Sequence, residues 1–306
     1  MEIVKYKRGE TLKESCVLAL GFFDGVHIGH RELLKMARHR ASELNLSLGI
    51  FTFASSGKIK AGTKRIYNDE EKARIFEELG ADFTVFADFD DVSGLSPEEF
   101  VRDVLIGDLH TSVAASGFNY RFGKGAAGDA QALARLMKKY GGDALILDEY
   151  LLDGKTVSTT AIREALEAGD VRGAARLLGA PYRIGGRVCH GRGEGKRLGF
   201  PTLNTSLAEG SIMPKRGVYL TAIKLSGRAY TALTNVGVCP TFDPREDHLE
   251  TYILDYSGDL YDEEIAIYFL DYLRDEKQFS SEKELIMQIN IDKNIALSKN
   301  ISDLEI

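Results

Sequence analysis

Up to about residue 178, short strand-forming runs alternate with stretches of helical period, the pattern of a parallel sheet covered by helices. The runs Val17–Phe23, Leu48–Phe53, Asp82–Ala87, Ser112–Ser116 and Ala144–Leu147 predict strands. Between them Leu33, Leu34, Ala37, Ala41 and Leu44 fall at helical spacing, as do Ile75, Phe76 and Leu79 ahead of Gly80, a C-terminal stop. Ser96-Pro97-Glu98-Glu99 predicts a capped helix start with proline at the first helical position. Two short helices are expected over Thr160–Ala168 and Asp170–Leu178. Gly179-Ala180-Pro181 then predicts a boundary, because proline cannot continue the helix and glycine can turn out of it.

After residue 181 the period changes. Tyr182–Cys189, Val218–Leu225, Tyr230–Val238, Leu249–Asp255 and Glu264–Tyr272 read as consecutive strands separated by Gly, Pro, Asp and Asn turns, which predicts a small antiparallel barrel. One terminal helix is expected, opened by the capping box Ser281-x-x-Glu284 and carrying Leu285, Ile289 and Ile295 on an apolar face. The expected architecture is an α/β domain over 1–179 followed by a barrel domain with a terminal helix over 180–306.

Composition agrees with two domains and narrows their company. At roughly 150 residues per domain, 306 residues make two, and 44% apolar residues give each a core. The formal charge, 39 − 46 = −7, argues against nucleic acid as a partner, so any phosphate site must be local. Cys16, Cys189 and Cys239 form no CxxC pair and leave an odd count, which predicts a reducing, cytoplasmic setting. The first twenty residues lack the apolar core of a signal peptide, and no stretch approaches 18 apolar residues, so neither export nor a membrane span is expected. No Trp stands among the 13 Tyr and 15 Phe.

The first candidate site is Gly21-Phe22-Phe23-Asp24-Gly25-Val26-His27-Ile28-Gly29-His30, which follows a strand and opens a helix. Its glycines let backbone N–H groups approach a phosphate at the positive end of the helix. His27 and His30, three residues apart, can both donate to phosphate oxygens whose charge grows during phosphoryl or nucleotidyl transfer. A glycine turn with two surface histidines, or a zinc pair lacking a third ligand, are the alternatives. Downstream, Asn119 in Gly117-Phe118-Asn119-Tyr120 would end a strand at the carboxyl edge of the sheet, where open α/β sheets bind ligands. Asp129 reads as a helix N-cap or a site residue. Ser158, Thr159 and Thr160 place three hydroxyls at a helix N-terminus with Arg163 one turn in, either as caps or as a triphosphate grip.

The second candidate site is the Gly-rich stretch Gly191 to Gly199 running into Phe200-Pro201-Thr202-Leu203-Asn204. It lacks the order of a Walker A loop. Gly191, Gly195, Lys196, Gly199 and Pro201 could wrap polyphosphate, while the Thr202 hydroxyl and Asn204 carbonyl are hard oxygen ligands suited to Mg²⁺. Alternation puts Glu250, Tyr252 and Leu254 on one strand face, so Glu250 reads as a carboxylate base in an enclosed site or as a strand-end surface charge.

The first string resembles the HxGH nucleotidyltransferase superfamily, and its Phe-Asp-Gly version is similar to the adenylyltransferase module of bacterial bifunctional riboflavin kinase/FAD synthetases. Val157-Ser158-Thr159-Thr160-Ala161-Ile162-Arg163 resembles the superfamily's ISSTxIR. Pro201-Thr202-Leu203-Asn204 resembles the riboflavin kinase GxPTAN, Asn235 to Phe242 the NxGxxPTF segment, and Leu249 to Leu254 the glutamate-bearing strand. The resemblance covers nearly the whole chain and implies a Rossmann-like first domain. It implies ATP-dependent phosphorylation of riboflavin to FMN and adenylyl transfer from ATP to FMN, with Mg²⁺ at Thr202 and Asn204. Glu250 would then activate the ribityl hydroxyl, Asn119 contact the reacting nucleotide, and Gly21, Phe22, Asp24, Gly25 and Gly29 surround it. Arg274 and Phe279, in a segment expected to form a flap with the terminal helix, would contact flavin. Without Trp, flavin stacking falls to Phe or Tyr.

Three departures stand out. Phe51 to Gly57 replaces an acidic residue and a Pro-His-Pro turn found in many relatives, Lys196 stands where Arg is usual, and Thr159 replaces Ser. The first motivates an alternative, a riboflavin kinase with a weakened or inactive adenylyltransferase domain; a flavin- or nucleotide-binding regulator without chemistry is a third. The oligomeric state, a weak homo-oligomer included, is open.

Overall fold

The computed structural model describes residues 1–54, 64–190, 194–207, 211–238 and 247–299. Six strands, β1 (Glu2–Lys5), β2 (Cys16–Leu20), β3 (Ser47–Phe53), β4 (Phe83–Ala87), β5 (Thr111–Gly117) and β6 (Asp143–Leu147), form one sheet. Their order is β1-β4-β3-β2-β5-β6, and every pair is parallel. All five residues of β2 are buried, which is why its sequence is a continuous apolar run rather than an alternation. Leu18, Leu20, Phe51, Val85 and Ala114 pack on one side against Val101, Val104 and Leu105 of a π-helical segment, Phe100–Asp108, and against Leu133 and Met137 of a helix over Ala130–Lys139.

The helices carry the stops and starts that their sequences announce. We label them α1 (Ile28–Leu44), α2 (Asp69–Glu78) and α3 (Ala130–Lys139). The amphipathic set Leu33, Leu34, Ala37 and Ala41 is buried along α1, which contacts β2, β3 and β5. Ser96 and Glu99 make both halves of the capping box, with Pro97 at the first position, but the helix widens after Glu99 into the π-helical segment. The predicted strand Val17–Phe23 ends at Leu20, because Phe23 and Val26 take positive φ values of 51° and 42° to turn the chain into α1. A β-branched residue in that region is strained. Both side chains are fully buried, and their packing holds the turn. β1 went unforeseen: it is four residues long and mostly exposed at the sheet edge.

The chain runs from β2 outward through β3 and β4, then returns to place β5 on the other side of β2. The carboxyl end of β2 is therefore a topological switch point, where the turns after neighbouring strands diverge and leave a crevice.

The second unit is a closed antiparallel barrel of β7 (Tyr182–Cys189), β8 (Thr202–Leu207), β9 (Gly217–Leu225), β10 (Arg228–Val238), β11 (Asp247–Ile253) and β12 (Glu264–Arg274), in the order β7-β8-β11-β10-β9-β12. β8 is the strand that the sequence concealed, since its Thr-Leu-Asn-Thr-Ser-Leu reads as the tail of a glycine loop. Alternate residues such as Ile223, Val236, Leu249 and Ile267 are buried. Three fully buried hydroxyls on adjacent strands satisfy one another, Thr221 to Thr234 at 2.8 Å and Thr234 to Thr251 at 2.9 Å, so none carries an unpaired-burial penalty.

Three helices, α4 (Thr159–Ala168), α5 (Val171–Leu178) and α6 (Glu282–Leu297), go with the barrel. One compact unit comprises Met1–Thr63 and Tyr67–Ser158, the other Lys64–Ile66 and Thr159–Ile306. The barrel unit thus begins earlier than the boundary read between 179 and 180. The reason is tertiary: α5 contacts β7 and β12, and the Lys215 N–H donates to Leu166 O at 2.9 Å. On α6 the buried residues are Asp292 and Ala296, whereas Ile295, expected on the apolar face, is 41% exposed. Positions 285, 289, 292 and 296 share a face at helical spacing, and 295 falls beside it. Among the described residues no helix is long and apolar enough to cross a membrane.

Candidate active sites

In the first unit a cavity of about 420 Å³ opens at the switch point, lined by residues that follow β2, β5 and β6 and by Phe53 at the end of β3. His27 is the N-cap of α1: its Nδ1 accepts the His30 backbone N–H at 3.3 Å. Nε2 is then the nitrogen that carries the proton and can donate. The two imidazoles stack with centroids 3.7 Å apart and planes inclined by 14°. Gly29 permits this closeness, since a Cβ there would stand 3.3 Å from the His27 ring. Burial pushes the His27 pKa down to about 4, and burial followed by repulsion from His27 holds His30 well below the usual histidine range. Both rings are therefore neutral at pH 7. His30 Nδ1 is buried with no hydrogen-bond partner among the described residues. Neutral imidazoles beside a helix N-terminus can still donate N–H to anionic phosphate oxygens.

Gly21, Phe22, Gly29 and Asn119 line the same cavity as the histidines. Asn119 lies two residues beyond β5, in the turn closed by Tyr120 N–H to Gly117 O at 3.0 Å. Asp24 and Gly25 are buried and do not line it. Asp129 is the N-cap of α3, accepting from Ala132 N–H at 2.7 Å. Ser158 closes the first compact unit, while Thr159, Thr160 and Arg163 belong to the second; Arg163 Nε donates to Lys64 O at 3.2 Å.

The barrel carries a second cavity, of about 340 Å³. Thr202 and Glu250 line it, and the Thr202 hydroxyl donates to Glu250 Oε1 at 2.6 Å. Glu250 and Tyr252 share the outer face of β11 with Leu254, which packs with Leu220, Leu233 and Ala296. The enclosure around Glu250 is therefore made by α6 and the segment before it rather than by the barrel interior. Gly195 is required where it stands: a Cβ would lie 2.4 Å from Phe200 O and 2.8 Å from Thr202 Oγ1. Arg274 and Phe279 line the cavity too, the guanidinium 5.9 Å from the Phe279 ring centroid. That guanidinium grips buried Asp292, with Nε and Nη2 donating to Oδ2 at 3.0 and 2.8 Å. Asn204 lies on the same face of β8 as Thr202 but outside the cavity lining, with Oδ1 2.7 Å from His248 Nε2. Gly199 and Pro201 are exposed and do not line it. Gly191, the Lys196 side chain, the Ser55 to Gly57 departure, Cys239 and the Pro240 to Phe242 part of the second barrel motif lie outside the described residues.

Comparison with known proteins assigns each half. Residues 9–161 match the family model for FAD synthetase and residues 178–299 the one for riboflavin kinase. The chain is 34% identical over 290 residues to the bifunctional riboflavin kinase/FMN adenylyltransferase of Bacillus subtilis, covering 92% of this chain and 91% of that one. The chain belongs to this family of bifunctional enzymes. The Escherichia coli K12 member is 33% identical over 290 residues, with the same coverage of both chains. A crystal structure described as a macrolide-efflux protein from Streptococcus pneumoniae superimposes with a TM-score of 0.85 at 29% identity, covering 98% of this chain and all of that one.

Several residues of the two cavities were not singled out from sequence. Asp148, Glu149 and Tyr150 line the first because they follow β6 at the carboxyl edge. The switch-point rule could have found them once Ala144–Leu147 was read as a strand. Lys277 lines the second, brought there by the turn between β12 and α6. Asn235, opposite Glu250 in register, carries its own link, Nδ2 to Glu276 Oε1 at 3.3 Å.

Proposed function

We propose that the two cavities divide a two-step synthesis of FAD. The barrel phosphorylates riboflavin with ATP to give FMN, and the α/β unit transfers AMP from a second ATP to FMN, releasing pyrophosphate. The observation that carries the reading is that each matched half has its own cavity, the first lined by His27, His30 and Asn119 and the second by Thr202, Glu250 and Arg274.

In the barrel the riboflavin 5′-hydroxyl attacks the γ-phosphorus, its proton passes to Glu250, and ADP leaves. Thr202 and Asn204 suit a hard divalent cation held chiefly by the nucleotide. Thr202 spends its proton on Glu250, leaving lone pairs free, and Asn204 offers a carbonyl oxygen. Mg²⁺, when bound, neutralises charge on the transferring phosphates. Gly195 and the Gly191–Lys196 stretch wrap those phosphates, and Arg274 and Phe279 face the flavin.

In the α/β unit an FMN phosphate oxygen attacks the α-phosphorus of ATP and the bond to pyrophosphate breaks. A phosphate monoester, with a second pKa of about 6, is already ionised, so no strong base is needed. His27 and His30 donate to oxygens that gain charge, Asn119 orients the nucleotide, and Ser158 at the end of the unit holds phosphate. The bacterial relatives and the free thiols of Cys16 and Cys189 fit the cytoplasm. Incubation with riboflavin, ATP and Mg²⁺ followed by separation of the flavins tests the division. FMN and then FAD are expected; FMN accumulating without FAD would leave the first cavity without its assigned step.

A further inference from the structure

His248 stands two residues before Glu250 on the same face of β11, as Thr202 and Asn204 stand on one face of β8. In the register of these strands Asn204 is opposite Glu250 and Thr202 opposite Tyr252. The side chains nevertheless pair on the diagonal: Thr202 with Glu250 at 2.6 Å and Asn204 with His248 at 2.7 Å. Strand twist brings such diagonal neighbours together. The two pairs form a short polar ladder along the β8–β11 seam, with Asn204 and His248 as its second rung.

An amide oxygen only accepts, so His248 Nε2 carries the hydrogen and donates it to Asn204 Oδ1. That bond uses one lone pair of Oδ1 and fixes the amide plane, leaving the other lone pair free. Without it the amide could rotate and present its NH₂ group, a donor, where a cation needs an oxygen. The Asn204 backbone is held separately, its carbonyl accepting from the Cys189 thiol at 3.4 Å across β7. Pairing with β7 and β11 sets where the residue sits, and among the described residues His248 is the partner that sets which way its amide faces.

We propose that His248 is a positioning residue of the kinase site, locking Asn204 with its carbonyl oxygen turned toward the divalent cation that accompanies the nucleotide. This rests on the reading above that Asn204 faces that cation. It assigns to His248 no contact with substrate. Partners that orient a metal ligand typically cost 10- to 100-fold in metal affinity when removed.

The test uses the full chain, with Mn²⁺ as the probe in the presence of ADP and free Mn²⁺ read by electron paramagnetic resonance. H248F keeps a planar aromatic ring, slightly larger, and removes the donor; it should weaken Mn²⁺ about 10-fold. H248Q, which returns an N–H at the corresponding distance, should restore affinity to near the wild-type value. With riboflavin and ATP, H248F should raise the Mg²⁺ concentration needed for half-maximal FMN formation while kcat at saturating Mg²⁺ recovers. A purely structural role would not divide the effect this way or be rescued by Gln. H248A supplies the same comparison if H248F folds poorly by circular dichroism. Wild-type Mn²⁺ affinity in H248F and H248A would overturn the proposal, and so would a loss that H248Q does not repair. N204A separates this from the underlying reading. If N204A weakens Mn²⁺ and H248F does not, only the positioning role falls; if N204A leaves Mn²⁺ binding intact, the cation assignment falls with it.

Discussion

Asp292 is the most exposed to test of the residues that close the barrel cavity, because its contacts allow a magnitude to be worked out. It is 3% exposed and accepts from Arg274 Nε and Nη2 and from Gln288 Nε2 at 2.9 Å, tying the end of β12 to α6. Removing one partner of a fully buried pair costs about 3–5 kcal/mol, because the other charge is left unpaired. The Arg274 side chain keeps 22% of its surface in water and a second hydrogen bond, Nη1 to Asp275 O at 3.1 Å, so solvent screens part of that penalty. We take about 2 kcal/mol for Asp292→Ala. The loss should be local, since Asp292 anchors one helix to one strand end, and hydrogen exchange reports local opening directly. At about 1.4 kcal/mol per tenfold, amides of 285–297 should exchange roughly 30-fold faster, with β2 and β5 unchanged. FMN formation should fall and adenylylation of supplied FMN should persist. The double variant R274M/D292L, which removes both charges together, should recover most of the protection. Exchange in α6 within twofold of wild type for Asp292→Ala would refute the energetic argument, as would an equal loss in the double variant.

Glu250→Gln should abolish FMN formation while FAD synthesis from supplied FMN survives; loss of both activities together would contradict two separate sites. His30→Ala should lower FAD synthesis about 10²–10³-fold, as for a typical donor to a developing oxyanion, with FMN formation from riboflavin as the internal control. Stability should depend on pH through His27 and His30. Their folded pKa values lie below the unfolded 6.5, so between 6.5 and about 4 the unfolded chain binds more protons than the folded one. The first unit should therefore be fully stabilised above pH 6.5 and lose stability as pH falls toward 4. His27→Gln should flatten that slope in denaturant titrations, and an unchanged slope would place the titration elsewhere.

The sequence by itself determined most of what is local. Alternation of strand and helix periods, the capping box at Ser96, the N-cap at Ser281 and the terminal strands of the barrel are decided within a few residues, by backbone preference and by which face is apolar. The strings around His27, Thr202 and Glu250 stood out for the same reason: their glycines, hydroxyls, histidines or carboxylate lie close together in the chain. What the sequence left open depends on distant partners. β8 looked like a loop because its strand character comes from pairing with β7 and β11, not from its own residues. Helices α4 and α5 read as the end of the first domain, yet they pack on the barrel, a choice made by contacts with β12 and Lys215 that no local rule weighs. The histidines were expected as phosphate donors from their spacing, but that burial in the folded turn pushes their pKa values below the usual histidine range is decided by the tertiary structure. The rungs Thr202–Glu250 and Asn204–His248 exist because barrel closure sets one register, and twist then brings together side chains more than forty positions apart.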